Sequence, residues 1–235
     1  MAELLDVLRT EQKYLLNSRQ TAEMSALLAK VLHHDVHSKT GSYLVRSLYF
    51  DTPDDRDYYE KLDGYENRRK IRLRIYDVNA RTAKLELKEK QGSMQRKRSL
   101  SLSREEAILV SQGDYSPLLN KDNPFALELY GRMHQFLYRP KCIVEYNREA
   151  FVVQDNDTRV TLDSNLRASS SNLDLFSEKI EFYPVGPLGQ TTMELKYNHF
   201  LLSYVKNLVS MPSYMQTSAS KYGMSRSKTL GNRNQ

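Results

Sequence analysis

The 235-residue chain has one cysteine and no tryptophan, and it is sparing with glycine (9) and proline (7). A lone thiol, Cys142, excludes an internal disulfide, a CxxC metal site and a thiol pair. Its neighbours Ile143 and Val144 suit a buried structural thiol. Long hydrophobic runs are missing too: stretches such as Ala107-Ile108-Leu109-Val110 are far too short to span a bilayer. Glu3 and Asp6 stand where a secretory leader would carry positive charge, so a cytoplasmic location is expected. No glycine-rich phosphate cradle is present, since Gly113, Gly186 and Gly189 fall in proline-containing loops rather than in GxxxxGK or GxGxxG settings. His33, His34 and His37 lack cysteines or an HExxH spacing, and read as a surface cluster near a helix end. No internal repeat or interior linker divides the chain. A single domain over residues 1–228 is expected, followed by a disordered polar tail over 229–235.

What the chain does have is charge, with 35 Lys and Arg against 29 Asp and Glu for a net of +6, and 16 tyrosines. The excess points weakly to a polyanion, and tyrosine suits walls that are apolar on one side and wet on the other. Alternating segments dominate. Strands are expected at Arg9–Leu16, Tyr43–Asp51, Arg68–Tyr76, Lys84–Lys90, Lys97–Leu102, Lys141–Arg148, Phe151–Gln154, Arg159–Asp163, Ser177–Phe182 and Thr191–Tyr197. Helices are expected after a cap at Ser18 or Thr21, after the capping box Ser103-x-x-Glu106, over Phe125–Tyr138 and over about Phe200–Val209, with a last segment of unassigned type around Ser218–Met224. Short antiparallel meanders of this kind close into a barrel or form a strongly curved sheet.

Strand parity separates the charge from the apolar residues. In Arg68–Tyr76 the even set is Arg68, Lys70, Arg72, Arg74 and Tyr76, against a mainly aliphatic odd set of Arg69, Ile71, Leu73 and Ile75. Lys84, Glu86, Lys88 and Lys90 oppose Leu85 and Leu87; Lys97, Ser99 and Ser101 oppose Leu100 and Leu102. Arg159, Thr161 and Asp163 oppose Val160 and Leu162; Glu194 and Lys196 oppose Met193, Leu195 and Tyr197. Arg9, Glu11 and Lys13 share one parity. An ordinary amphipathic sheet with its charged face in water would show such alternation. These faces, however, are mostly Arg and Lys with isolated carboxylates. Turned inward, they would repel one another unless a polyanion and a metal ion neutralised them. Phosphate chains suit Arg forks and Lys point charges, and sparse carboxylates suit Mg²⁺ or Mn²⁺. The apolar faces would then lie under the helices.

Several segments, in order, resemble the VTC domain, the catalytic domain of vacuolar transporter chaperone polyphosphate polymerases, within the triphosphate tunnel metalloenzymes. They include Arg9-x-Glu11-x-Lys13-Tyr14, Val45-Arg46-Ser47-Leu48-Tyr49-Phe50-Asp51-Thr52 and Arg69-Lys70-Ile71-Arg72-Leu73-Arg74-x-Tyr76. Leu85-Glu86-Leu87-Lys88, Val144-Glu145-Tyr146-Asn147-Arg148, Arg159-Val160-Thr161-x-Asp163, Glu194-Leu195-Lys196-Tyr197 and Ser220-Lys221-Tyr222 follow. The resemblance implies an α+β fold: a closed antiparallel eight-stranded β-barrel tunnel with amphipathic helices packed outside. It implies Arg72, Arg74, Lys88 and Lys221 as catalytic cations, with Lys13, Lys97 and Arg148 on the substrate; the charged strand faces add Arg159 and Lys196. Glu194 would be the main ligand of a divalent metal, Mn²⁺ or Mg²⁺, helped by Glu11 and Asp163. Arg9 stands where related CYTH triphosphatases have a first glutamate, which favours the VTC branch.

The implied reaction is transfer of the γ-phosphoryl of ATP to growing inorganic polyphosphate. The rivals are a triphosphatase of the same fold, acting on tripolyphosphate or nucleoside triphosphates, and a non-catalytic polyphosphate-binding module. Nucleic acid is not expected as a partner, because no stacking motif such as RNP1 is present. The chain has no membrane segment of its own, which leaves room for a separate membrane partner.

Overall fold

The computed structural model describes residues 9–38, 41–92, 94–153, 157–209, 214–218 and 220–231. Strands β1 (Arg9–Leu16), β2 (His33–His34), β3 (Tyr43–Asp51), β4 (Arg68–Ile75), β5 (Thr82–Gln91) and β6 (Met94–Ser103) are followed by β7 (Arg139–Val153), β8 (Thr158–Ser169), β9 (Tyr183–Pro184), β10 (Thr191–Asn198) and β11 (Met215–Gln216). Helices α1 (Ser18–Val31), α2 (Arg56–Leu62), α3 (Arg104–Ser111), α4 (Pro124–Gln135), α5 (Ser203–Val209) and α6 (Lys221–Gly231) lie between and after them.

The eleven strands form one antiparallel sheet in the order β11-β1-β10-β8-β7-β3-β4-β5-β6, with β2 added to β7 and β9 to β8. It is not the closed eight-stranded barrel expected from the sequence. Part of the free edge of β1 is occupied by β11, through Tyr14 opposite Gln216 and Leu15 opposite Met215. The Thr217 amide extends this contact by donating to the Lys13 carbonyl at 2.9 Å. With that edge taken, β6 has no strand partner on its far side among the described residues. The sheet is instead curved enough for side chains to meet across it: Lys88 of β5 reaches Glu11 of β1 at 3.1 Å.

The alternation builds two outer cores. Leu48, Phe50, Ile71, Leu73, Ile75, Leu85 and Leu87 pack under α3 and α4. Leu16, Phe151, Val160, Leu162, Met193 and Leu195 pack under α1 and α5. Each side chain removed from water here contributes about 1.5–3 kcal/mol. Helix α1 is capped by Asn17 rather than Ser18 or Thr21: its side chain accepts from the Gln20 amide, and Gln20 Oε1 accepts from the Asn17 amide. Ser103 and Glu106 form the expected capping box on α3.

The expectation that helices lie only outside the sheet needs correction at α6 and α2. Tyr222 of α6 and Tyr58 of α2 pack with Val45, Tyr49, Cys142, Val144 and Tyr146. Register places this set on the charged face, because Tyr49 pairs with both Arg72 and Cys142, and Ser47 with both Arg74 and Val144. The third core therefore fills one part of the concave face. A buried polar network anchors it. Tyr222 donates to Asp51 at 2.6 Å, Arg226 forks onto Asp55 at 2.8 and 2.7 Å, and Tyr138 donates to Asp57 at 2.9 Å.

Other boundaries differ locally. The two strands expected over Lys141–Arg148 and Phe151–Gln154 are one strand of 15 residues, β7; Gln154 lies outside the described residues. It bulges opposite Tyr49/Phe50 and between Glu145 and Asn147, which accommodates the curvature. Ser177–Phe182 is not a strand. Arg46, itself paired with buried Glu145, holds the Leu175 and Ser177 carbonyls instead. The tail expected to be disordered from residue 229 is helical to Gly231, with Thr229 buried; residues 232–235 lie outside the described residues. Among the described residues no helix is long and apolar enough to cross a membrane.

Candidate functional site

The register brings the basic parity of β4 and β5 together with the carboxylates of β1, β8 and β10 on the concave face. Arg72 sits opposite Glu86 and opposite Tyr49. Its Nε donates to Glu86 at 2.7 Å and its Nη1 to the Tyr49 hydroxyl at 3.2 Å. Arg74 donates to Ser47 at 3.1 Å and to the Tyr146 hydroxyl at 3.4 Å, with Glu86 3.8 Å away. Lys97 also pairs with Glu86. Burial alone would raise the Glu86 carboxyl, but Arg72, Arg74 and Lys97 hold it far below the usual carboxylate range.

A second group surrounds Glu194 and Asp163. Arg148 forks onto Asp163 with two 2.6 Å bonds, and Lys221 of α6 reaches Asp163 at 2.6 Å and Glu194 at 3.0 Å. Lys196, Arg148 and Lys13 approach Glu194 at 3.3, 3.5 and 3.7 Å. Glu11 links this group to the first, with Lys13 at 2.9 Å, Lys88 at 3.1 Å and Lys196 at 3.8 Å. Against the penalty of burial, Lys196, Lys88 and Lys13 pull the Glu11 carboxyl far down. Burial works the other way on Lys88 and lowers its ammonium to about 8, despite Glu11. Arg159 stands apart at the rim, paired with Asp35 at 2.5 Å and donating to the Tyr43 hydroxyl at 3.1 Å.

Arg148 shares its parity with apolar Cys142, Val144 and Tyr146, a pattern that in sequence resembles a core face. The core in question is the one beneath α6, inside the concave face. Tyr146 lies at the junction: Arg148 stacks over its ring at 5.3 Å and Lys221 at 4.9 Å. Glu86 and Tyr146 were not singled out as site residues from the sequence. The signal for Glu86 is its place as the one acid on the charged parity of β5, between Lys84, Lys88 and Lys90.

Counting side chains in these contacts, the cations Lys13, Arg72, Arg74, Lys88, Lys97, Arg148, Lys196 and Lys221 face the carboxylates Glu11, Glu86, Asp163 and Glu194, eight against four. A cavity of about 320 Å³ adjoins them between β1, the start of β4, the end of β5 and the segment leading into α6. Its lining holds seven cations, including Lys61, Arg68, Lys70 and Lys90, against only Glu11 and Glu89. Lys70 donates to Ser220 Oγ at 2.6 Å. Burial, with Lys13, Lys88, Lys61 and Arg68 around it, lowers its ammonium to about 7. Such a site is short of negative charge, and an anionic ligand would relieve it.

The carboxylates fit a divalent metal in part. Among the described residues no group of three His, Cys, Asp or Glu side chains is placed to hold an ion. Asp163 has both oxygens on the Arg148 fork. Glu11 and Glu194 have both oxygens within ion-pair reach of cations as well, but neither is clamped by a guanidinium fork, which leaves one or two carboxylates that could exchange a lysine for an ion. That matches the way Mg²⁺ is bound beside phosphates, by one or two carboxylates with phosphate oxygens completing the shell.

The VTC domain model matches residues 8–230. The chain belongs to the VTC domain family. Among solved structures, a Hippeastrum protein is described as a candidate adenylyl cyclase with a dominant triphosphatase activity. It is 17% identical over 93% of this chain and 95% of that one, with a TM-score of 0.54. A candidate adenylate cyclase from Bacillus halodurans is 12% identical over 100% of this chain and 92% of its own, with a TM-score of 0.46. The PH1819 protein of Pyrococcus horikoshii OT3 is 12% identical over 94% and 99%, at 0.49. No curated protein matches the VTC-family chain by sequence. At this identity the Hippeastrum likeness is one of fold alone.

Proposed function

We propose that this VTC domain is a metal-dependent polyphosphate polymerase. A terminal phosphate oxygen of the acceptor chain attacks the γ-phosphorus of ATP, the bond from that phosphorus to the bridging oxygen breaks, and ADP leaves. The chain grows by one phosphate. No side chain needs to act as nucleophile, so positioning and charge neutralisation supply the catalysis.

Arg72, Arg74, Lys88 and Lys221 are the cations assigned to the reacting phosphates. Lys13, Lys97, Arg148 and Lys196 are assigned to binding them, with Arg159 at the rim. Glu86 fixes Arg72, Arg74 and Lys97, and Asp163 fixes Arg148 and Lys221. Glu194 and Glu11 are assigned to Mn²⁺ or Mg²⁺, which when bound would offset the charge that builds on the transferred phosphoryl group. ATP as donor fits the cytoplasmic location expected from the sequence.

The observation that supports a polymerase over a triphosphatase is the basic cavity beside the central groups, with seven cations against two carboxylates. A triphosphatase has to hold three phosphates; a polymerase has to hold a longer chain as well. The description of the Hippeastrum neighbour keeps triphosphatase as the rival. Incubation with ATP and Mn²⁺ or Mg²⁺, followed by separation of products, distinguishes the two. ADP and long-chain polyphosphate are expected. Orthophosphate as the only phosphate product, across both metals and with a short polyphosphate primer, would replace the polymerase with the triphosphatase.

A further inference from the structure

We propose that Tyr43, Tyr76 and His37 form the platform on which the nucleobase of the donor triphosphate stacks. The inference rests on the reading that a triphosphate occupies the concave face. The three rings come from separate segments: the start of β3, the residue after β4, and the loop after β2. Their centroids lie 5.9, 6.0 and 6.1 Å apart, and the His37 and Tyr76 rings are parallel to within 1°. Tyr43 rests against the third core, which anchors the group. Tyr76 is 38% exposed and His37 is exposed as well, so the cluster offers ring surface to solvent.

The rings adjoin the cations assigned to the phosphates. Tyr43 pairs with Arg148 across β3 and β7, and its hydroxyl accepts from Arg159 at 3.1 Å. Tyr76 follows Arg74 by two residues and is in turn drawn on by it: burial raises the Tyr76 hydroxyl, but Arg74 brings it below its usual value. Lys70, Arg72, Arg74 and Tyr76 thus run in order at two-residue steps, roughly 6.6 Å each along an extended chain. A nucleoside triphosphate has the same order, a flat ring followed by a chain of negative charge. Free inorganic polyphosphate would use the cations and leave the rings idle. Stacking on aromatic faces tolerates any base, so the platform favours nucleotides over tripolyphosphate more than it selects among bases.

The test compares two ligands in calorimetry: the β,γ-imido analogue of ATP and tripolyphosphate, each with Mg²⁺. Tyr76→Ala is expected to weaken the nucleotide at least about fivefold more than it weakens tripolyphosphate. Tyr76→Phe keeps the ring and should keep that selectivity, even if losing the hydroxyl disturbs Arg74. His37→Ala changes an exposed side chain, so it provides a second variant less exposed to failure of folding, and it should shift the same ratio in the same direction. Equal weakening of both ligands by Tyr76→Ala and by His37→Ala, or no weakening of either, would overturn the platform. Wild type binding neither ligand would overturn the triphosphate reading itself, a different result.

Discussion

Replacing Glu194 by Gln removes one negative charge from the centre of the concave face and keeps the shape. The charge is present at any working pH. Burial alone would raise this carboxyl, but Lys221, Lys196, Lys13 and Arg148 hold it well below its usual value. Removing one partner of a buried ion pair typically costs about 3–5 kcal/mol. Here the lower end applies, because each cation keeps another carboxylate. Lys13 retains Glu11 at 2.9 Å, Lys196 retains Glu11 at 3.8 Å, and Arg148 and Lys221 each retain Asp163 at 2.6 Å. At roughly 2–4 °C per kcal/mol for a chain of this size, a loss of about 3 kcal/mol lowers the melting temperature by about 6–12 °C. Tripolyphosphate supplies the missing negative charge, so the stabilisation it produces should be larger in Glu194→Gln than in wild type. Turnover should collapse in the same variant if Glu194 also serves the metal. Thermal melts with and without tripolyphosphate, paired with a turnover assay, read all three. An unchanged melting temperature together with an equal or smaller ligand shift would refute the picture of Glu194 as the anion among these cations.

Asp57 is buried beside Asp51 and Tyr138, and burial first, then Asp51, pushes its carboxyl up to about 8. A folded pKa above the unfolded one means that the stability it contributes is fully present below about pH 4 and is lost as pH rises to about 8. Between pH 5 and 8 this amounts to at most about 4 kcal/mol at 1.36 kcal/mol per unit. Urea denaturation across that range should show wild type weakening and Asp57→Asn much flatter; parallel profiles would exclude Asp57 as the cause. Lys70, lowered to about 7 in the free chain, should regain its proton when a phosphate chain binds beside it. Calorimetry at pH 8 in buffers of different ionisation enthalpy should detect proton uptake that Lys70→Met reduces; uptake unchanged in that variant would remove Lys70 from the binding surface.

The period-2 pattern made much of this fold legible. Ile71, Leu73 and Ile75 set one face of β4 and Arg72 and Arg74 the other, and the tertiary structure keeps that division. Closure was not legible, because it depends on what pairs with the edge of β1. The two-residue strand β11 that takes part of this edge carries no periodic signal. Nor could parity reveal that a helix lies on the charged face. Cys142, Val144 and Tyr146 look like any core stripe; the strand register against Arg72 and Arg74, with Tyr222 and its bond to Asp51, shows that this core is inside the concavity. The segment Ser177–Phe182 has the alternation of a strand, but Arg46 reaches its start from β3 and takes the carbonyls. Among the carboxylates, sequence parity placed Glu11, Asp163 and Glu194 on one face. It could not show that Arg148 takes both oxygens of Asp163, or that Glu86 joins three cations of its own.

The central claim is where the phosphates sit, and a crystal structure with the β,γ-imido analogue of ATP and Mg²⁺ tests it most directly. The expected result is a triphosphate on the concave face, with its oxygens within hydrogen-bond reach of Arg72, Arg74, Lys88, Arg148 and Lys221. Phosphates bound on the outer face over α1 or α4, with those five side chains still paired only to Glu11, Glu86, Asp163 and Glu194, would contradict it.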